Sequence, residues 1–139
     1  MRTWPIHPVI YEINTWVWLG ELSRKASRPV NLATVPEKEW DAIASHGFDA
    51  VWLMGVWERS PAGIEISMQN KGLLEDFRRA LADFSAADNV GSPYCVRRYV
   101  VDEHLGGTVG LAAAREKLAG RGMRLILDFV PNHVAPDHP

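Results

Sequence analysis

Cysteine is nearly absent: Cys95 is the only one in 139 residues. An internal disulfide is therefore excluded, and the chain needs no oxidising compartment to fold. The thiol reads as a buried or half-buried small side chain rather than a reactive one. Neither sign of charge is in excess. Fifteen Lys and Arg face seventeen Asp and Glu, a formal charge of −2, which gives no reason to expect a nucleic-acid or membrane partner. Long apolar runs are absent too. None reaches the roughly 20 residues of a membrane-spanning helix, and the segment Met1 to Pro8 lacks the apolar core of a signal peptide. The default expectation is a soluble, cytoplasmic protein. Tandem repeats and low-complexity segments are also missing. With 47% hydrophobic and 23% charged residues the composition is that of a globular chain, which argues against disorder. The length suits one domain with a core of its own.

Tryptophan, in contrast, is abundant, with six: Trp4, Trp16, Trp18, Trp40, Trp52 and Trp57. Core packing is the first reading for such large apolar rings. Indoles at strand ends also suit the C–H faces of sugar rings, and Trp18 and Trp57 are the better candidates for that role.

Residues 9–16 (VIYEINTW) read as a strand, rich in β-branched and aromatic side chains. Glu12 and Asn14 alternate with apolar neighbours, as polar groups near the mouth of a barrel do. Gly20 to Leu32 reads as a surface loop. Thr34-Val35-Pro36-Glu37 has the form of a capping box, and the spacing of Trp40, Ile43 and Ala44 predicts a helix over about 36–46, ended by Gly47. Residues 49–56 form a second, nearly all-apolar strand, so that strand, helix and strand make a βαβ crossover. Trp57 to Asn89 is an insertion whose apolar spacing predicts a helix over about 70–83, after a loop at 58–63. A further helix is expected over about 109–119, capped by Thr108 and closed by Gly120 and Gly122. The third strand, about 123–129, contains the unbroken apolar run Leu125 to Leu127, as in a parallel strand covered on both faces. Pro131 then forbids its continuation. Asp128, Asn132 and His133 thus fall at or just past the C-terminal end of a buried strand, the edge where α/β folds place ligand chemistry. The class is α/β.

Three stretches carry a family resemblance. Asp128-Phe129-Val130-Pro131-Asn132-His133 resembles the first conserved region of the α-amylase family (glycoside hydrolase family 13), Asp-x-x-x-Asn-His at the exit of the third barrel strand. Residues 47–56, with Gly47 leading into Val51-Trp52-Leu53, resemble the family's second strand. Tyr94 to Asp102, followed by Gly106-Gly107, is similar to its Gly-Tyr…Asp-Tyr…Gly-Gly segment. The chain departs from that pattern at Arg98, where many members have Asp, and at Pro93, where Gly is usual.

The resemblance implies a partial TIM (β/α)8 barrel, comprising the first three parallel strands with intervening helices, where a complete barrel takes about 250 residues. It implies retaining chemistry on α-glucosidic bonds, which needs a nucleophilic carboxylate and an acid/base carboxyl. The family places these after the fourth and fifth strands, and a further Asp after the seventh, so no catalytic residue is expected in this chain. Substrate contacts are implied for Tyr94, which matches the tyrosine that stacks on sugar, and for His133, which matches the histidine on a sugar hydroxyl. Trp57 and Trp18 join them as the aromatic candidates. Asp128 is expected to orient the strand end. Asn132 matches the side chain that ligates calcium in calcium-bearing members, and no other cofactor is implied. The expected partners are an α-glucan or maltooligosaccharide, and the remainder of the barrel or a second copy at the open sheet edges. The rival readings are a non-catalytic carbohydrate-binding or regulatory half-barrel, a small interaction domain, and a barrel enzyme with Asp128 and His133 as a metal pair.

Overall fold

The structure, a computed structural model, describes residues 3–139, so the first two residues of the expected 1–139 domain lie outside it. In chain order the elements are β1 (Ile10–Asn14), α1 (Thr15–Ala26), α2 (Glu37–Ser45), β2 (Ala50–Met54), β3 (Trp57–Arg59), α3 (Pro61–Gln69), α4 (Lys71–Ala80), β4 (Val96–Val101), α5 (Gly107–Gly120) and β5 (Arg124–Ile126). They divide into two compact units. One comprises the chain up to Val56 with Val100–Phe129, the other Trp57–Tyr99 with Val130–Pro139.

The first unit is a mixed α/β structure on a three-stranded parallel sheet of order β1-β2-β5. β2 is central because it alone is apolar enough to be covered on both faces: Ala50, Val51 and Leu53 are fully buried. Its register places Glu12, Trp52 and Ile126 in one row across the sheet. Against the sheet side, Trp40 of α2, Leu105, and Ala114 and Leu118 of α5 make the core, all fully buried. β1 and β5 are edges. Only Ile13 of β1 is buried, and Leu125, Ile126 and Leu127 are half-buried. The third strand is therefore not covered on both faces as expected, and it ends at Ile126 rather than 129, pairing only three residues with β2.

Several local expectations are corrected by side-chain chemistry. The first strand stops at Asn14, two residues early, because the Asn14 carboxamide caps a helix by accepting from the Val17 N–H. That helix, α1, occupies much of the segment read as loop from Gly20 onward. Leu19 and Leu22 are buried one turn apart, Glu21 and Lys25 pair at 2.7 Å, and Ser27 closes it in the left-handed region. Trp16 and Trp18 therefore lie on a helix. Thr34 does not complete a capping box. Its hydroxyl accepts from the Asn31 N–H at 3.0 Å, and α2 starts after Pro36 with no side-chain cap. Glu37, freed from that role, pairs with Lys117 of α5 and with Arg121, which follows that helix. Nor does Thr108 cap α5. The helix begins two residues earlier than expected, at Gly107, after Gly106 at φ 107°. Gly107 itself is at φ 60°, and a Cβ there would lie 2.9 Å from the Glu103 carboxylate.

β3 and β4, the latter in the second unit as far as Tyr99, form a two-stranded sheet, neither strand having been expected. The segment 58–63, read as loop, leads through β3 into α3, where Pro61 is at the first helical position and the Ser60 hydroxyl accepts from the Gly63 N–H at 2.8 Å. α4 is shorter than the expected 70–83. Asn70 caps it, accepting from the Leu73 N–H at 3.1 Å. No helix among the described residues is long and apolar enough to cross a membrane.

Candidate functional site

The sequence-predicted site residues fall into two groups, one in each unit. In the first unit, Asp128 is buried just beyond β5. One carboxylate oxygen accepts from the Trp52 indole N–H at 2.9 Å and the other from the Gly55 backbone N–H at 2.6 Å. Register explains the fit. Trp52 is opposite Ile126, so two residues further along both strands Asp128 comes level with Met54, the last residue of β2 and the neighbour of Gly55. The carboxylate thus fastens the exit of β5 to the exit of β2, a charge-assisted arrangement at the C-terminal edge of the sheet. Trp18, also in this unit, is half-buried with its indole edge-on to Trp40, ring centroids 5.2 Å apart. It lines a cleft of about 430 Å³ with Tyr11, Glu39, His46 and Phe48. Trp16 stacks on His104 at 4.5 Å.

The second unit holds Tyr94, Asn132, His133 and Trp57. His133 Nε2 lies 3.0 Å from the Tyr94 carbonyl oxygen. A carbonyl only accepts, so that ring nitrogen carries the hydrogen. The Asn132 side-chain nitrogen, a donor, is 3.2 Å from His133 Nδ1, which then accepts. Both contacts select the same neutral tautomer, with Nε2 protonated. The Tyr94 ring and His133 are exposed at the surface of this unit. The stretch read as the tyrosine segment and the stretch read as the exit of the third strand are thus joined by a direct contact.

A second tie was not foreseen. The Tyr99 hydroxyl accepts from the Val130 N–H at 2.8 Å and donates to the Val130 carbonyl at 3.3 Å. Its ring meets Trp57 edge-on, centroids 5.3 Å apart. Nothing in the pattern of residues 94–102 marks Tyr99 as a partner of residue 130. The signal was only its place in the resembling segment.

Arg98, the departure from the family pattern, has a partner that explains it. Arg97 and Arg98 both bond Glu58, at 2.6 Å each, and Arg97 also reaches Asp137 at 3.7 Å. Hydrogen bonds from Arg97 and then Arg98 hold the Glu58 carboxyl below the ordinary glutamate range. Asp137 is lowered first by the Ser60 hydroxyl, which donates to it at 2.6 Å. Glu58, Ser60 and Asp137 were not singled out in the sequence, because each pairs with residues 39 to 77 positions away.

Trp16, Trp18 and Trp57 each have a ring partner of their own: His104, Trp40 and Tyr99. A hollow of about 520 Å³ in the second unit, between α3, α4 and Cys95, is lined by none of Tyr94, His133 or Trp57. Calcium takes six to eight oxygen ligands. Asn132 offers one, its amide nitrogen is turned to His133, and no cluster of three or more His, Cys, Asp or Glu that could hold a metal is found among the described residues. These residues by themselves do not fit a calcium site.

No protein-family model and no curated protein matches the chain. Solved structures do. The α-amylase from Geobacillus thermoleovorans, complexed with acarbose, is similar over 95% of this chain and 24% of its own, at 24% identity and a TM-score of 0.56. Amy13B of Eubacterium rectale is similar over 95% of this chain and 20% of its own, at 19% identity and a TM-score of 0.57. The trehalose-6-phosphate hydrolase of Bacillus licheniformis covers 94% of this chain and 18% of its own, at 18% identity and a TM-score of 0.54. These neighbours are α-amylase-family enzymes, and the likeness establishes a shared fold with part of each. The chain spans about a fifth to a quarter of their length.

Proposed function

We propose that this chain is the N-terminal part of the catalytic (β/α)8 barrel of an α-amylase-family enzyme, a retaining glycoside hydrolase or transglycosidase acting on an α-glucan or maltooligosaccharide. The three parallel strands of the first unit are the first three of the barrel, and Tyr94, His133, Trp57 and Trp18 supply sugar contacts. The observation that carries the reading is the 3.0 Å contact between His133 Nε2 and the Tyr94 carbonyl. It joins the stretch with the most specific resemblance, Asp128 to His133, to the tyrosine segment, in a chain whose fold is that of part of the α-amylase-type enzymes.

Tyr94 offers an exposed ring for the apolar face of a sugar. His133 has both ring nitrogens engaged, Nε2–H on the Tyr94 carbonyl and Nδ1 on the Asn132 amide, so a sugar hydroxyl would bond to it by taking the place of one of these partners. Neither side chain is a carboxylate, and retaining cleavage needs two of them about 5–5.5 Å apart. The chain is therefore expected to bind maltooligosaccharide and leave it intact. The carboxylates would come from strands four and five of the same barrel.

The test is incubation with maltooligosaccharides, following tryptophan and histidine resonances for binding and reducing ends for turnover. Binding that is lost in His133→Ala, without new reducing ends, is expected. Turnover above background would refute the proposed division of labour. The coding sequence after Pro139 provides a second check: it should continue into a fourth strand ending in Arg-x-Asp.

A further inference from the structure

We infer that Tyr99 is a positioning residue that sets two sugar contacts at once, Trp57 through its ring and His133 through its hydroxyl. The inference rests on the functional reading above for what those two residues touch, but the linkage itself stands on geometry alone.

The hydroxyl arm comes first. Val130 is three residues before His133, and Pro131 lies between them, so the intervening backbone has few conformations open to it. Tyr99 holds both the N–H and the carbonyl of Val130, at 2.8 and 3.3 Å. That fixes the position and the direction of the peptide from which the segment departs. His133 then reaches the Tyr94 carbonyl, five residues before Tyr99 on the same run of chain. The segment is held at both ends by residues of one stretch, 94–99. Releasing Val130 removes the nearer of the two holds.

The ring arm is independent of the first. Tyr99 meets the Trp57 indole edge-on, at a 69° interplanar angle and 5.3 Å between centroids. Edge-to-face geometry is directional, so the tyrosine ring limits how the indole can turn. Trp57 opens β3 and Tyr99 lies in β4, the two strands of one sheet. The sheet sets the backbone spacing and the ring contact sets the face.

The two arms are separable by substitution. Tyr99→Phe removes the hydroxyl and keeps the ring, whereas Tyr99→Leu removes both. In the isotopically labelled full chain, Tyr99→Phe should accelerate amide exchange at Val130 by about tenfold or more, a loss of at least ~1.4 kcal/mol of protection. It should also replace the fixed Nε2–H signature of His133 by an average of the two tautomers. The Trp57 indole resonance, assigned with Trp57→Phe, should hold its position in Tyr99→Phe and move in Tyr99→Leu. An unchanged Val130 exchange rate and His133 tautomer in Tyr99→Phe would overturn the hydroxyl arm. A Trp57 resonance that moves equally in both variants would overturn the ring arm. If the leucine variant does not fold, Tyr99→Phe still decides the first arm and Tyr99→Met, with apolar bulk but no aromatic ring, replaces it for the second. Maltohexaose affinity should fall about five- to tenfold in Tyr99→Phe, the equivalent of one such hydrogen-bonded hold, with thermal stability little altered. Absence of maltohexaose binding in the wild-type chain would refute the functional reading, while the resonance and exchange measurements would still decide whether Tyr99 positions the two residues.

Discussion

Replacing Asp128 by Ala should be among the most damaging single substitutions in the first unit, and the size of the effect follows from two bonds. Asp128 is 8% exposed, and its carboxylate accepts from the Trp52 indole N–H at 2.9 Å and the Gly55 N–H at 2.6 Å. Truncation removes both acceptors and leaves two donors facing an apolar methyl group. An orphaned buried donor costs about 1–3 kcal/mol. Gly55 is itself buried, and Trp52 is half-buried, so the full penalty applies to the first and part of it to the second. The expected loss is about 2–4 kcal/mol. For a chain of this size that is a fall in melting temperature of roughly 6–16 °C. Urea unfolding followed by far-UV circular dichroism measures it. Trp52→Phe, which deletes one donor, should cost less, and the double variant should be less than additive by about 1 kcal/mol, since the indole bond is lost only once. Asp128→Asn is not a rescue, because one of the two positions would then present N–H to N–H. A loss below about 0.5 kcal/mol in Asp128→Ala, the level of an ordinary surface change, would refute the claim that this carboxylate fastens the two strand exits.

Two further predictions concern charge and edges. Because Arg97 and Arg98 lower the Glu58 carboxyl in the folded chain, its contribution to stability is present above the ordinary glutamate value of about 4.3 and is lost as pH falls through the lower folded value. Glu58→Gln should therefore flatten the acid limb of a stability-versus-pH curve, and an unchanged acid limb would show that the two arginines do not act through this carboxylate. Ile10 lies on the edge strand β1 at 44% exposure, paired on one side with Ala50 of β2. If the open edges of the parallel sheet drive self-association, Ile10→Lys should reduce concentration-dependent sedimentation with little change in melting temperature, and identical sedimentation of the variant and the parent would exclude β1 as the associating edge.

What could be read in advance divides along physical lines. β2 and α5 were legible because burial is written into them directly, as an unbroken apolar run in one and as helical spacing in the other. α1 was not. Its first turn, Thr15-Trp16-Val17-Trp18, is β-branched and aromatic, and the decisive feature is the Asn14 cap, which in sequence looks like one more polar position of a strand. Thr34 misled in the opposite direction. A hydroxyl two residues before a proline fits a capping box, yet the Asn31 turn uses it first. β4 was obscured by Arg97 and Arg98, whose charges are acceptable in a strand only because Glu58, 39 and 40 residues earlier, meets them. The candidate site shows the same limit. Tyr94 and His133 were found through motif resemblance, while Tyr99 and Asp137 work through contacts between distant stretches of chain, and no local pattern displays those.

The division of the chain has a consequence for its synthesis. The second unit is made of two pieces, Trp57–Tyr99 and Val130–Pro139, with thirty residues of the first unit translated between them. At about 5–20 residues per second, the earlier piece emerges roughly 2–6 s before the residues that complete it. During that interval Ser60 has no Asp137, the Tyr94 carbonyl has no His133, and the Tyr99 hydroxyl has no Val130. A nascent chain paused on the ribosome within 100–129 should accordingly expose β3, β4 and the apolar faces of α3 and α4 to chaperones, and lose that exposure once Val130–Pro139 has cleared the tunnel.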